Sequence, residues 1–202
     1  MKSLYYELGS HYLNLKDFED IQKTLELFPL EDITIGDAGE INNCKVGRLV
    51  EDHPETFPTR VNKEYSKRVL DIIFNDQCKA FLKNIIPEFK NKELCVRRCQ
   101  FNLLTKGSFV GKHLDIDSNP DYRAAVVFQL GSKFTGGHFD VYKDMKSKKP
   151  IQEINPSYAS ICISDSRSPH AVREVTSGVR TSLVMFVSSY SGKNKRKKLT
   201  GF

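Results

Sequence analysis

The chain has 202 residues, of which 39% are hydrophobic and 28% are charged, which is an ordinary balance for one globular domain with a substantial core. It contains no apolar run of about 18 residues, and its first residues lack the apolar centre of a signal peptide, so we expect a single cytoplasmic domain over residues 1–202 without a membrane segment. Part of the net charge of +6 lies in a basic tail, residues 191–202. We interpret this tail as a solvated, mobile terminus rather than as a nucleic-acid site.

The five cysteines indicate a reduced protein. Their number is odd and they show no paired CxxC spacing, so neither a disulfide framework nor a zinc site is indicated. We interpret them as mostly buried free thiols.

Residues 1–94 are predicted to be mainly helical and to support the rest of the chain. Apolar residues recur at helical spacing in three segments, Phe18–Phe28, Tyr65–Ile73 and Phe81–Ile85. Between the first two, residues 31–59 carry several glycines and prolines, which favour irregular or β-edge chain. We expect this segment to fold over the mouth of the core and to contact a substrate there.

Residues 95–190 are predicted to form a mainly β unit. Short β-rich runs are separated by glycines at positions 131, 136, 137 and 178. The predicted strands are Val96–Leu104, Ala124–Leu130, His138–Tyr142, Tyr158–Ser164 and Arg180–Ser188. The basic segment Lys143–Pro150, between two of these runs, is predicted to be a surface loop.

His113, Asp115 and His170 are the candidate metal ligands. His113 and Asp115 are two residues apart, so on a strand their side chains point to the same side. His170 follows an apolar run and a turn, and a compact β-barrel could bring its strand beside the first. Two imidazoles and one carboxylate on one face leave the other positions of a metal open, which is the arrangement that non-haem Fe(II) needs to react with O2.

The last predicted strand carries a candidate carboxylate clamp. By its period of two, Arg180 and Ser182 share one face with Val184 and Phe186. An arginine fork beside a hydroxyl can hold a planar carboxylate with charge-assisted hydrogen bonds. A dicarboxylate co-substrate would suit this pair.

Three motifs in this order resemble a known family. The stretch Lys106–Asp115, the double glycine Gly136–Gly137 and the closing segment His170–Ser182 are similar to those of the Fe(II)- and 2-oxoglutarate-dependent dioxygenases. Within that superfamily they resemble the prolyl 4-hydroxylase-like branch. The resemblance implies an α+β, mainly β fold, with a double-stranded β-helix (jelly-roll) core buttressed by N-terminal helices.

The same resemblance implies a site and a reaction. Iron would be bound by His113, Asp115 and His170, and 2-oxoglutarate by Arg180 and Ser182. The cofactors would be Fe(II), 2-oxoglutarate and O2, with ascorbate as a helpful reductant. The reaction would hydroxylate an unactivated C–H bond, on an amino-acid side chain that is free or within a peptide or protein, with release of succinate and CO2.

Two positions qualify this expectation. Asp115 favours hydroxylation over halogenation, because related halogenases replace this carboxylate with a small residue, while desaturation or cyclisation stays open. Many prolyl hydroxylases carry a tyrosine nine residues before the first histidine, where it helps to hold 2-oxoglutarate. This chain has Leu104 there, so its co-substrate shell is expected to differ.

Other polar residues are weaker candidates. Asp117, Arg123 and Arg167 are candidate substrate contacts. Asp117 could instead cap a turn, and Arg123 could pair with an acidic neighbour. Arg167 could simply face solvent on a loop. His138 could be a metal ligand by residue type, but its position after the double glycine favours a structural role. It is left out of the triad.

Two other functions are weighed. A nucleic-acid demethylase of the same superfamily would suit the basic charge, but such enzymes typically carry a second arginine six residues after the first, where this chain has Phe186. Aromatic and basic residues are not interleaved as base stacking would require. A non-catalytic jelly-roll binding module is the least favoured, because the triad and the clamp are intact.

Overall fold

The computed structural model describes residues 3–35 and 39–197. Gly36 of the predicted irregular segment and Lys198 of the basic tail therefore lie outside the described residues. The three predicted helical segments form α-helices, which confirms that part of the sequence analysis. The helices are α1 (Leu15–Glu26), α2 (Lys63–Ile73) and α3 (Asp76–Ile85).

All five predicted strands are present, together with others that the sequence did not indicate. The strands are, in chain order, β1 (Leu4–Tyr6), β2 (Glu31–Ile35), β3 (Ile41–Glu51), β4 (Thr59–Arg60), β5 (Cys95–Thr105), β6 (Val110–His113), β7 (Ala124–Gln129), β8 (Phe134–Gly136), β9 (Phe139–Val141), β10 (Gln152–Ile154), β11 (Ile161–Asp165), β12 (His170–Val172) and β13 (Val175–Ser188).

The strands form two antiparallel sheets. The large sheet has the order β1-β11-β7-β13-β5-β3-β2, with β4 beside β3 and β8 beside β13. The small sheet has the order β10-β9-β12-β6. Apolar residues of β9 pack against Cys162 and Val127 of the large sheet, so the two sheets face each other. This is the predicted jelly-roll core.

The helices cover the outer face of the large sheet. Asn14 caps α1 in a capping box with Asp17, which fixes where the helix begins. The apolar stripe of α1, including Phe18 and Ile21, is fully buried in a core that also contains Met185 of the central strand β13. In the described parts of the chain, no helix has both the length and the apolar character needed to cross a membrane.

The segment between α1 and α2 differs from its prediction in one respect. β2 lies at an edge of the large sheet, as the prediction of β-edge chain allows, but β3 is an internal strand between β2 and β5. Asn42, Cys44 and Val46 of β3 are buried alternately with exposed neighbours. A Cβ on Gly47 would lie 2.8 Å from Phe28, so this glycine permits a close approach of the strand to the aromatic ring rather than a bend.

The described part of the basic tail is held in place, which corrects the expectation of a mobile terminus. The backbone of Asn194 accepts from Glu55 N at 2.9 Å and donates to Thr56 O at 2.8 Å. Lys195 forms an ion pair with Asp121 at 3.0 Å. The sequence could not indicate these partners, because they come from loops that are distant along the chain.

A buried ion pair ties this terminus to the sheet. Arg97 of β5 and Asp52 have fully buried side chains and form two contacts of 2.8 and 3.2 Å. Asn119 donates to the same carboxylate at 2.7 Å, and Arg97 also donates to the carbonyl of Tyr190 at 3.2 Å. The pair therefore joins β5, the loop after Asp115 and the C-terminal segment.

We expect Arg97→Met to destabilise the protein by about 3–5 kcal/mol, because it leaves the Asp52 carboxylate buried without its charge partner. Urea unfolding followed by circular dichroism would measure the loss. The matched control is Arg68→Met on the exposed face of α2, where a change within about 0.5 kcal/mol is expected. Equal stability of the two variants would contradict this account of the pair.

Candidate active site

A cavity of about 250 Å³ lies between the two sheets. It can hold a small molecule and not merely a water, whose share of liquid volume is about 30 Å³. Residues from both sheets line it, and the predicted site residues are among them: His113, Asp115, His170, Arg180 and Ser182.

The two histidines are brought together by strand pairing. His113 ends β6 and His170 begins β12, and the two residues are directly opposite each other in the antiparallel pair. Their ring centroids are 4.4 Å apart. Asp115 follows in a 3-10 turn, and its Oδ1 lies 3.6 Å from Nε2 of His113 and 3.4 Å from Nε2 of His170. Each of the three side chains offers one possible metal-ligand atom, and these atoms all lie within 4.8 Å of one another. The group could therefore hold a single metal ion.

Each imidazole is oriented by a carbonyl two residues before it. Nδ1 of His113 is 2.8 Å from the carbonyl oxygen of Gly111, and Nδ1 of His170 is 2.9 Å from that of Ser168. A carbonyl can only accept, so Nδ1 of each ring donates to it, and Nε2 of each ring faces Asp115. Histidines that bind a metal typically donate their other ring N–H to a carbonyl or carboxylate in this way.

The Asp115 carboxylate is suited to a cation. Burial by itself raises the pKa of this carboxyl, but His170 and His113 lower it, and the pKa ends well below its usual range. The side chain is 4% exposed, and Oδ2 is fully buried without a hydrogen-bond partner among the described residues. A buried carboxylate oxygen of this kind is costly unless a cation or a donor meets it, so a divalent metal fits the group.

The Arg180 guanidinium is suited to an anion. It is buried, its Nη1 donates to Oγ of Ser182 at 3.3 Å, and its Nε has no hydrogen-bond partner among the described residues. Burial lowers the pKa of Arg180 to about 10. Arg180 stays charged at neutral pH, and an anionic ligand in the cavity would offset the cost of burying this charge.

The double glycine leaves room for this arginine. Gly137 has φ +64°, and a Cβ on it would lie 2.7 Å from Cδ of Arg180. A side chain at position 137 would therefore meet both backbone strain and the arginine. On the neighbouring strand β5, Leu104 is paired directly with Arg180. Leu104 is the residue that stands where many prolyl hydroxylases carry a tyrosine.

Three polar side chains on β5, here called the polar row, were not predicted to belong to the site. Arg98, Gln100 and Asn102 line the cavity from one face of that strand. Nε of Arg98 donates to Gln100 at 2.9 Å, and the amide of Gln100 donates to Asn102 at 2.7 Å. Polar residues at every second position of a predicted strand are a usable signal that one face of the strand meets a polar environment.

The three candidate substrate residues do not line this cavity. Asp117 is exposed in the 3-10 turn after Asp115. Arg123 donates to backbone carbonyls and lies 4.0 Å from Asp121, and Arg167 is held by Asp165 at 2.7 Å. Their roles as substrate contacts stay predictions, and none of the three lines the cavity that contains the triad.

The comparisons with known proteins agree with this geometry. Residues 99–188 match the family model described as "2OG-Fe(II) oxygenase superfamily". A crystal structure of an oxidoreductase of the 2OG-Fe(II) oxygenase family from Burkholderia pseudomallei is 29% identical, with a TM-score of 0.85 over 97% of this chain and 88% of that chain. The chain is therefore similar to the 2OG-Fe(II) oxygenases, and the family model covers the β-rich part of the chain that contains the cavity. The matched family consists of oxygenases and implies Fe(II) and 2-oxoglutarate as cofactors.

Prolyl hydroxylases share the fold of this chain. One from Trichoplax adhaerens, in complex with a peptide fragment of a hypoxia inducible factor oxygen degradation domain, has a TM-score of 0.65 at 14% identity over 93% of this chain and 83% of that chain. A prolyl-4-hydroxylase from Pseudomonas putida has a TM-score of 0.60 at 16% identity, with 92% of both chains covered. No curated protein gives a significant match.

We expect Mn²⁺, as a redox-stable probe, to raise the free energy of unfolding by about 2.7 kcal/mol at 100 times its dissociation constant, because it binds only the folded site. Thermal unfolding with and without the ion measures this. His170→Ala should remove the effect. His138→Ala is the matched control, because His138 lines a separate surface pocket. An effect that survives His170→Ala but not His138→Ala would place the metal elsewhere.

Proposed function

We propose that this protein is an Fe(II)- and 2-oxoglutarate-dependent hydroxylase that acts on an unactivated C–H bond of an amino-acid side chain, free or within a peptide or protein. The observation that carries the proposal is one cavity containing a buried, unsatisfied carboxylate oxygen on Asp115 and a buried, unsatisfied guanidinium N–H on Arg180. The first needs a cation or a hydrogen-bond donor, and the second needs an acceptor, for which an anion is the best partner of a guanidinium. Fe(II) and 2-oxoglutarate supply both.

His113, Asp115 and His170 would hold the iron from one side. The two imidazoles present Nε2 and the carboxylate presents its oxygens, so the side of the metal away from the small sheet stays open to the cavity. When bound, iron with 2-oxoglutarate and O2 supplies the oxidising power for C–H cleavage, with succinate and CO2 as co-products. An aspartate at position 115 fills a metal position, which favours hydroxylation.

Arg180 and Ser182 would orient the co-substrate. The guanidinium and the hydroxyl lie on one face of β13 and can donate together to the far carboxylate of 2-oxoglutarate. Because both side chains are buried, these hydrogen bonds form away from water and hold the opposite end of the co-substrate towards the triad. Orientation of this kind is the protein's main contribution.

The other end of the cavity would receive the substrate. Beyond Ser182, the same face of β13 presents Val184 and Phe186, and β7 adds Ala125 and Val127. The β2–β3 segment contributes Ile33, as expected for chain that folds over the mouth. Gln100 and Arg98 lie directly beside Val184 and Phe186, so this end combines apolar and polar groups and suits a side chain with an aliphatic part and a polar group. The Trichoplax adhaerens enzyme of the same fold binds a peptide fragment, which supports a peptide or protein among the candidate substrates.

A reducing cytoplasm would suit this chemistry. All five cysteines are free thiols in the structure, and such a compartment keeps iron ferrous. Ascorbate would help by returning oxidised iron to the ferrous state between turnovers.

We expect the protein to form succinate from 2-oxoglutarate when Fe(II) and O2 are present. Asp115→Ala should remove most of this activity because it deletes a metal ligand. Arg180→Ala should raise the KM for 2-oxoglutarate about tenfold to hundredfold, because a hydrogen bond to a charged group contributes ~1.5–3 kcal/mol. Succinate is quantified by mass spectrometry, and amino acids and peptides are then screened for a mass gain of one oxygen atom.

Two residues outside the cavity provide matched controls. Asp117→Ala removes a carboxylate two residues from Asp115, and Arg123→Ala removes an arginine that is bonded to surface carbonyls. Both variants should keep the wild-type rate and KM. Unchanged kinetics in Asp115→Ala or Arg180→Ala would refute the proposed site.

A further inference from the structure

The hydrogen bonds of the polar row on β5 run in one direction, from Arg98 through Gln100 to Asn102. An arginine side chain has only donors, so Arg98 can bond to Gln100 only through the amide oxygen, at 2.9 Å. The amide nitrogen of Gln100 then faces Asn102 and donates to its oxygen at 2.7 Å. The orientation of both amides therefore follows from the chemistry of Arg98, and Asn102 is left with its Nδ2 donors for the cavity that it lines.

Asn102 lies beside the carboxylate clamp. It is directly paired with Ser182 across β5 and β13, while Leu104, the next residue on the same face, is paired with Arg180. Opposite residues of an antiparallel pair have Cβ atoms about 4.5–5.5 Å apart and project to the same face. The amide of Asn102 is thus a neighbour of the hydroxyl of Ser182.

The clamp leaves a place for a further donor. A carboxylate offers about four lone-pair sites, and Arg180 and Ser182 can fill at most three of them with the guanidinium fork and one hydroxyl. Leu104, which is paired with Arg180, has no hydrogen-bonding side chain and cannot fill that place. The nearest donor on that face of β5 is the amide of Asn102.

We propose that Asn102 donates an amide N–H to a carboxylate oxygen of bound 2-oxoglutarate, as a third donor beside Arg180 and Ser182. In this arrangement Arg98 and Gln100 are positioning residues, since they set which end of the Asn102 amide faces the ligand. The inference rests on the proposed function, because it assumes 2-oxoglutarate in this cavity.

The test is the dissociation constant of 2-oxoglutarate for the Mn²⁺-loaded protein, measured by calorimetry without turnover. Asn102→Leu should weaken binding on the order of tenfold, as expected for one lost hydrogen bond to a charged group. Asn102→Asp should weaken it further, because a carboxylate would then face a carboxylate. The charge-matched control is Asn43→Asp, on the exposed side of β3, which should bind as the wild type does.

Gln100→Glu tests the polarity of the row while Asn102 stays intact. The new carboxylate still accepts from Arg98, but it can no longer donate to Asn102 and must accept from its Nδ2. The amide of Asn102 would turn its oxygen towards the ligand, so 2-oxoglutarate should bind more weakly while the thermal midpoint is kept. A purely structural role would move the midpoint and leave the affinity unchanged.

The outcomes separate this inference from the proposed function. Wild-type affinity in Asn102→Leu and Asn102→Asp would overturn the role of Asn102. Failure of the folded, metal-loaded wild type to bind 2-oxoglutarate would overturn the proposed function and this inference with it. Weaker binding in the Asn102 variants, with Asn43→Asp unchanged, supports both.

Discussion

The antiparallel pairing of β6 with β12 is the constraint on which the site depends. It places His113 opposite His170, and a carbonyl two residues earlier on each chain segment turns Nε2 of each ring inwards. Asp115 needs only the turn after β6 to reach both rings. The three side chains therefore come from a short stretch of one small sheet. A shift of either strand by one residue would send one imidazole to the opposite face.

The large sheet supplies the opposite charge. Arg180 is carried by β13, which lies between β5 and β7 with a helix-covered core behind it, so the guanidinium is held in the cavity by a rigid central strand. Asp115 and Arg180 are each buried without full hydrogen bonding. Each would be destabilising alone. An iron ion at the first and a dicarboxylate at the second would offset both costs.

Local periodicity explains which features the sequence could predict. The shared face of His113 and Asp115, and that of Arg180 and Ser182, follow from a period of two along extended chain. The interior position of β3 could not be predicted, because it depends on β2 and β5 as partners. Asn102 was overlooked for a similar reason: alternation shows which residues share a face, but packing decides which face meets the cavity. The position of Arg123 outside the cavity could not be read from the sequence either, because loop paths leave no periodic signal.

Chelation of 2-oxoglutarate by iron at the triad is the central claim of this account. Anaerobic addition of Fe(II) and 2-oxoglutarate, followed by visible absorbance, tests it most directly, because keto-acid chelation to Fe(II) gives a weak charge-transfer band. The wild-type protein should develop this band and His170→Ala should not. A folded wild-type protein that gives no band would contradict the account.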